Sequence, residues 1–197
     1  MNVSLRPALP GPAMTREQFL EWDGHEAGRW EFDGVRPVPM TGVSREHGRI
    51  VTRIIRALAN RLDGAVWDIL TDCGLATVGG KVRYPDVQVT RTEGPGSAKL
   101  IPGTMVVFEV VSPSSVRTDR VDKVREYAAV ASICRYVVAE QSAAVLTVYH
   151  REDGSQDWRP LPLAAGDVLE LPELGIAVPV DEIYEGVAFP GDDAPAG

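Results

Sequence analysis

The spacing of apolar positions changes along the chain between the period of a helix and that of a strand. From Ser44 to about Leu62 the spacing is helical, with Ser44 as a typical N-cap and Asp63-Gly64 as a typical end. One side of this predicted helix carries His47, Val51, Ile54, Ile55, Leu58 and Leu62, and the other carries Arg45, Arg49, Arg53 and Arg56. We expect the apolar side to pack on a sheet, with His47 facing that sheet at its rim and the arginines facing outward.

Short stretches rich in β-branched and aromatic residues predict many strands. Residues 30–32 and 35–40 predict a hairpin that turns at Asp33-Gly34, and Pro37 and Pro39 keep its second strand at an edge. Further strands are expected at residues 66–70, 75–78, 81–90, 136–139, 145–149, 158–163, 168–171 and 176–180.

Two shorter helices and a helical turn complete the predicted elements. Thr15 starts the first helix, where Gln18 is placed to complete a capping box. The second helix is expected over residues 119–131, with Thr118 or Asp119 as its cap. Residues 181–184 predict a helical turn.

This mixed order of strands and helices predicts an α/β (mixed α+β) fold, with a central mixed sheet and helices on both sides. A length of 197 residues fits one domain, which we place at residues 14–187. Residues 1–13 contain three prolines and are expected to form a flexible arm. Residues 188–197 are expected to form a flexible tail.

One predicted strand contains a residue that is out of place in an apolar environment. Residues 105–111 form an apolar run between Gly103 and Ser112-Pro113, and Glu109 lies in the middle of it. A buried charged carboxylate without a partner is strongly unfavourable. Either the run is not buried, or Glu109 has a partner such as a cation or a metal ion.

Composition and charge narrow the classes of function. The chain has 28 acidic and 20 basic residues and a net charge of −8, which argues against coating nucleic acid by bulk charge alone. Cys73 and Cys134 have no paired spacing, which fits a reducing cytoplasm, and Cys134 is expected in the core. No apolar run approaches the roughly 20 residues of a membrane span, and no signal-peptide pattern is present. We therefore expect a cytoplasmic protein with no membrane partner.

Phosphate-binding glycine loops, zinc-protease motifs and serine-hydrolase motifs are absent, which leaves a spaced set of Asp86, Glu109 and Lys123. Asp86 and Glu109 lie on predicted strands that a loop connects. If those strands are neighbours, the two carboxylates can converge on a hard cation such as Mg²⁺. Lys123 shares a helix face with Tyr127 and Val130, so it can lean back over the sheet.

Several short segments carry a more specific signal when they are taken in order. They are Trp30-Glu31-Phe32-Asp33-Gly34, the helix start Ser44 to His47, Tyr84-Pro85-Asp86-Val87, Phe108-Glu109-Val110-Val111-Ser112-Pro113-Ser114, Asp122-Lys123 and Tyr127. Over residues 14–184 this set resembles the Uma-two family of restriction-endonuclease-like proteins, within the PD-(D/E)XK nuclease superfamily. The resemblance implies a restriction-endonuclease-like mixed sheet flanked by helices. It also implies a metal-dependent endonuclease that acts on DNA with Mg²⁺ or Mn²⁺.

The resemblance implies roles for individual residues as well. The superfamily pattern has a lysine two residues after the glutamate, but Val111 is there, so Lys123 becomes the catalytic lysine beside Asp86 and Glu109. The resemblance implies that Asp86 and Glu109 hold the divalent metal, and the backbone carbonyl of Val110 and the His47 side chain are further candidate ligands. The residues expected to support these ligands are Glu31, Ser112 and Tyr127.

Alternatives remain open at this stage. Lys123 is also typical of a surface lysine, His47 and Tyr127 of core residues, and Glu31 of a structural acid. The four arginines form either a solvated helix face or a phosphate-contacting surface. The whole protein is alternatively a catalytically silent nuclease-fold module that binds nucleic acid or a protein, or a structural partner subunit. A homodimer is compatible with the resemblance, because such nucleases pair to address both strands.

Overall fold

The computed structural model describes residues 12–22, 28–40, 42–111, 117–151 and 158–189, without the side chains of residues 117–120. The helices in these ranges are α1 (Arg16–Leu20), α2 (Arg45–Ala59), α3 (Arg117–Ala128) and α4 (Val180–Tyr184), and a 3₁₀ turn covers Val78–Gly80. The strands are β1 (Trp30–Phe32), β2 (Pro37–Pro39), β3 (Trp67–Leu70), β4 (Leu75–Ala76), β5 (Val82–Arg83), β6 (Val87–Arg91), β7 (Val106–Val111), β8 (Arg135–Glu140), β9 (Val145–Arg151), β10 (Trp158–Ala164), β11 (Val168–Leu171) and β12 (Ile176–Pro179).

Some predicted features fall outside these ranges. The arm at residues 1–13, the turn at Ser112-Pro113 and the tail at residues 188–197 lie wholly or largely beyond the described residues. None of the helices that the structure describes has both the length and the apolar character needed to cross a membrane.

A six-stranded mixed sheet in the order β10-β9-β8-β7-β6-β3 forms the centre of the fold. Strands β7 and β8 run parallel and are connected through α3, since parallel neighbours need a crossover connection. The other neighbouring strands of this sheet are antiparallel. Helix α2 packs against β3, β6 and β7 on one face, and α3 packs on the opposite face. The predicted mixed sheet with helices on both sides is confirmed.

Strand β7 lies between two hydrophobic cores and contributes alternate residues to each. Val106, Phe108 and Val110 belong to the core beneath α2. Val107 belongs to a second core with Tyr127 of α3. Glu109 has the same parity as Val107, so its side chain faces α3. The apolar run is therefore buried, and Glu109 is buried with it.

A second, four-stranded sheet in the order β2-β1-β5-β4 has a small core of its own around Phe19, Phe32 and Val82. Strand β2 lies at its edge, as its prolines predict. The single strand expected over residues 81–90 is wrong, because β5 belongs to this small sheet and β6 to the large one. The chain changes sheets at Tyr84-Pro85-Asp86, where the proline has no N–H to donate to a ladder. Asp86 consequently lies where the chain enters the central sheet.

Helix α2 begins as the sequence predicts and ends earlier. The Ser44 hydroxyl accepts a hydrogen bond from the His47 N–H at 3.0 Å, which confirms Ser44 as the N-cap. The helix ends at Ala59, one turn before Leu62. Its buried residues are His47, Ile50, Ile54, Ala57 and Leu58. The predicted stripe omitted Ile50 and Ala57 because the face in contact with the sheet is rotated slightly toward them, which leaves Val51 and Ile55 half-buried.

Helix α3 begins earlier than expected. It spans Arg117–Ala128 instead of residues 119–131, so Thr118 and Asp119 lie inside the helix and neither is its cap. Cys134 was expected in the core, but it lies directly before β8 and is only half-buried. Neither difference moves Lys123 or Tyr127 out of the helix.

Replacing Ser44 with alanine should lower the free energy of unfolding by about 0.5–2 kcal/mol, because the His47 N–H loses its capping acceptor. Urea unfolding measures this change. Thr52→Ala is the matched control, since it removes a hydroxyl from an exposed position of the same helix and should change stability by less than about 0.5 kcal/mol. A loss for Ser44→Ala no larger than that of the control would contradict the capping role.

Candidate active site

Glu109 lies in the middle of β7 and is 7% exposed. The Lys123 ammonium lies 3.1 Å from each of its two carboxylate oxygens. The Tyr127 hydroxyl donates a hydrogen bond to Oε1 of Glu109 at 2.8 Å. The acid that the sequence marks as out of place therefore has a cation and a hydroxyl donor as partners, both from α3.

The local charge balance around Glu109 remains unfavourable for its ionised form. Burial raises the pKa of the Glu109 carboxyl to about 7, against the opposing effect of the Lys123 ammonium. The nearby charges of Asp86 and Glu31 raise this pKa further. Burial and the Glu109 charge also raise the pKa of Tyr127 well above its ordinary value, so Tyr127 stays a donor.

Asp86 lies directly before β6 and makes two contacts that fix its carboxylate. Oδ2 accepts a hydrogen bond from the Val110 N–H at 2.7 Å, and Oδ1 lies 3.1 Å from Nε2 of His47. The antiparallel register pairs Val87, the first residue of β6, with Phe108, so Asp86 lies just before β6 and beside the segment of β7 that carries Glu109. The Asp86 charge also raises the pKa of Glu109. The two predicted acids are thus neighbours on adjoining strands.

Val110 presents its backbone to Asp86. Its N–H already donates to the Asp86 carboxylate. The N–H and C=O of one strand residue point to the same side of the strand, so the Val110 carbonyl is directed toward Asp86 as well. The Val110 carbonyl is a predicted metal ligand, and this orientation is compatible with that prediction.

His47 and Lys123 reach the two acids from opposite faces of the sheet. His47 is the third residue of α2, is 8% exposed, and contacts Asp86 through Nε2. Lys123 comes from α3 with Tyr127 one turn later on the same helix face. Lys123 is half-buried against the sheet, as the reading of its helix face predicted.

Glu31 connects the Lys123–Glu109 ion pair to a network of charged residues that the sequence did not reveal. Its Oε1 lies 3.5 Å from the Lys123 ammonium, and its Oε2 accepts a hydrogen bond from Arg83 at 2.7 Å. Arg83 also forms a two-pronged contact with Glu126 at 2.7 and 2.8 Å, and Lys81 reaches the same carboxylate at 2.6 Å. The available signal was the alternation of Lys81 and Arg83 with apolar residues, which directs both cations to one face of β5.

Burial and bonds to charged partners act in opposite directions on the charge states of Arg83 and Glu126. Burial disfavours the charged form of Arg83, but its bonds to Glu126 and Glu31 outweigh this effect and raise its pKa. Burial raises the pKa of Glu126, but its bonds to Arg83 and Lys81 prevail and lower it. Both side chains are therefore charged at neutral pH.

A family model described as "Putative restriction endonuclease", Uma2, matches residues 16–181, which is most of the chain. The chain belongs to the Uma2 family. This confirms the resemblance that the sequence motifs carry.

Two known proteins extend the comparison for this Uma2 chain. An uncharacterized protein from Synechocystis sp. is 31% identical over 196 residues, which cover 95% of this chain and 100% of that protein. A crystal structure described as a putative nuclease belonging to DUF820, from Anabaena variabilis, superposes with a TM-score of 0.70 at 10% identity. The match covers 87% of this chain and 97% of that one. The family and the shared fold together support a nuclease.

The residues present at this Uma2 site fit a hard cation that keeps much of its water. Among the described residues, no group of three or more His, Cys, Asp or Glu side chains is arranged to hold a metal ion. Mg²⁺ needs less, because proteins commonly hold it through one or two carboxylates and leave its other positions to water. Asp86 and Glu109 supply such a pair. Oε1 of Glu31 is buried beside them and forms no hydrogen bond within the described residues.

The four arginines of α2 lie on the side of the helix away from the sheet. Arg45, Arg49 and Arg53 line a groove of about 500 Å³ with Glu185 and neighbouring residues. Arg49 pairs with Glu46 and Arg53 with Glu185, at 3.1 and 2.7 Å. Arg56 is exposed.

The structure places most of the predicted site residues together. The residues that it brings together are Asp86, Glu109, Lys123, His47, Val110, Glu31 and Tyr127. The four arginines lie on a separate surface, and Ser112 is outside the described residues.

Replacing Tyr127 with phenylalanine should lower the free energy of unfolding by about 1–3 kcal/mol, because the buried Glu109 carboxylate loses a hydrogen bond. Chemical unfolding at pH 8, where Glu109 is largely ionised, measures the change. Tyr149→Phe is the control, since that ring stacks on Tyr136 and its hydroxyl has no hydrogen bond within the described part of the chain. Equal losses for the two variants would mean that the Tyr127 hydroxyl does not stabilise Glu109.

Proposed function

We propose that this protein is an endonuclease that hydrolyses phosphodiester bonds in DNA with the help of Mg²⁺ or Mn²⁺. One observation carries the proposal: Asp86, which accepts a hydrogen bond from the Val110 N–H of β7, lies beside Glu109, whose carboxylate contacts the Lys123 ammonium. The membership of the Uma2 family and the nuclease-like fold support it.

Each residue has a distinct part in the proposed reaction. Asp86, Glu109 and the Val110 carbonyl are the oxygen ligands for the cation, and His47 holds Asp86 in place through Nε2. When bound, the divalent ion neutralises a phosphate oxygen and lowers the pKa of a coordinated water. Lys123 orients the attacking water and stabilises the negative charge that develops on the phosphate. The water oxygen releases a proton to solvent as it forms a new bond to phosphorus, the bond to the leaving sugar oxygen breaks, and that oxygen takes up a proton from solvent.

The electrostatics of the site favour a cation as a further partner. The described cluster contains four carboxyl groups and three cationic side chains, namely Glu31, Asp86, Glu109 and Glu126 with Lys81, Arg83 and Lys123. When Glu109 is ionised, these seven groups carry one surplus negative charge, which repels a phosphodiester. A divalent cation held by Asp86 and Glu109 would make the local charge positive at the place where the phosphate must approach.

The arginine side of α2 is the proposed contact for DNA phosphates away from the reacting bond. Arg45 and Arg56 have the exposure for this role. Arg49 and Arg53 must first exchange their partners Glu46 and Glu185 for phosphate oxygens. Such contacts orient DNA without reading its sequence. The homodimer stays a prediction of the family resemblance.

A second candidate function is a catalytically silent module that keeps the nuclease fold and binds nucleic acid or a protein. Two observations favour it. Val111 occupies the position of the superfamily lysine. Lys123 and Tyr127 already occupy the Glu109 carboxylate, so a metal ion has to share that group with them.

A nicking assay on supercoiled plasmid tests the endonuclease. With Mg²⁺ or Mn²⁺ the wild type should produce open circles, and Glu109→Gln should reduce the rate at least about 100-fold, since one metal ligand is lost. Glu173→Gln is the matched control, because it removes an equally buried acid that pairs with Arg135 at the other end of β8. Equal cleavage by wild type and Glu109→Gln would reject the proposed site.

Calorimetric titration with Mn²⁺ separates the enzyme from the silent module. Wild-type protein should bind Mn²⁺, and Asp86→Asn should weaken binding at least about tenfold, because a neutral amide is a poorer ligand for a hard cation. Glu173→Gln again serves as the control and should bind like wild type. No heat of binding from the wild type would favour the module over the enzyme.

A further inference from the structure

Arg83 connects the candidate site to the small sheet and to α3. One nitrogen donates to Glu31 of β1, and two others donate to Glu126 of α3. Its side chain is 9% exposed, so these bonds form away from bulk water, where they are strong and directional.

Two carboxylates compete for the Lys123 ammonium. Lys123 lies 3.1 Å from both oxygens of Glu109 and 3.5 Å from Oε1 of Glu31. The other oxygen of Glu31 is bound by Arg83, which supplies the positive charge that Glu31 needs. With that charge supplied, Lys123 is closest to Glu109.

Arg83 also holds the helix that carries Lys123. Glu126 is three residues after Lys123, so both face the same side of α3. A planar guanidinium that grips one carboxylate at two points fixes direction as well as distance. Together with the packing of Tyr127, the clamp on Glu126 restrains the rotation of α3 about its axis and therefore the point from which the Lys123 side chain starts.

We propose that Arg83 is the positioning residue of this site: by neutralising Glu31 and clamping Glu126, it directs the Lys123 ammonium to Glu109. Its consequence for catalysis rests on the proposed endonuclease function. Its consequence for the position of Lys123 does not.

Crystal structures of the full chain in EDTA test the position directly. In Arg83→Met, Glu31 loses its cation, and the Lys123 ammonium should move from Glu109 to within hydrogen-bond distance of Glu31. In the double variant Arg83→Met with Glu31→Gln the competitor is gone, and the ammonium should return to Glu109. Lys123 remaining at Glu109 in the single variant would overturn the proposal.

Kinetics test the consequence for the reaction. Arg83→Met should lower kcat for plasmid nicking about 10- to 100-fold with a smaller change in KM, because Lys123 acts on the reacting water and not on bound DNA. The double variant should recover most of the lost kcat. Equal kcat losses in both variants, with Lys123 displaced in both, would reduce Arg83 to a structural contact and overturn the proposal.

Two further variants guard against loss of folding. Arg83→Lys keeps the charge but cannot grip two acids at once, so it should fold and show a partial loss of kcat. Arg135→Met removes a comparably buried arginine from its pair with Glu173 and should leave kcat unchanged when folded. A kcat loss in Arg135→Met as large as that in Arg83→Met would contradict a specific role.

The crystal and kinetic readouts separate the two hypotheses. If no variant, including the wild type, cleaves DNA, and Lys123 still moves and returns as described, the endonuclease is rejected and the positioning role stands. If the wild type cleaves and Lys123 does not move in Arg83→Met, the endonuclease stands and the positioning role is rejected.

Discussion

The carboxylate of Glu109, held among valines in the middle of β7, is the constraint to which the rest of the site responds. A charge at that depth requires donors from the layer that covers it, and α3 is that layer. Lys123 and Tyr127, one turn apart, supply an ammonium and a hydroxyl. The crossover helix that joins two parallel strands thus also carries the groups that allow an acid inside the sheet. The same helix α3 therefore packs against the sheet and supplies the donors to Glu109.

These donors do not bring the local charge to balance. Burial and the neighbouring charges of Asp86 and Glu31 hold the pKa of Glu109 near 7 even with the ammonium in contact. A site selected for stability alone would gain from an apolar side chain here, since buried ion pairs rarely outperform hydrophobic packing. A buried carboxyl with a raised pKa beside a second acid, as Glu109 is beside Asp86, is typical of a functional site.

The sequence predicted those helices and strands that local patterns of residues indicate. Period and caps located α2, and a continuous apolar run located β7 with the anomalous Glu109. The change of sheets at Pro85 was not predictable from alternation, because residues on both sides of it have strand composition. The Arg83 network was missed for a similar reason: its partners Glu31 and Glu126 lie 52 and 43 residues away, and local patterns do not report contacts at such separation. The order of the motifs, and not the periodicity of the sequence, indicated that Asp86, Glu109 and Lys123 belong to one site.

If Lys123 takes the role of the superfamily lysine, the positive charge at Glu109 comes from α3 instead of β7. A lysine at position 111 would stand two residues beyond Glu109 on the same face of β7, because side chains alternate along a strand. Lys123 reaches that face from the helix above it and contacts both oxygens of Glu109. A helix-borne lysine depends on the placement of the whole helix, whereas a strand-borne lysine depends on the sheet alone. This dependence explains why buried charges tie α3 to the small sheet so closely: the contact between them is fixed by directional bonds through Glu126, and not by shared apolar surface alone.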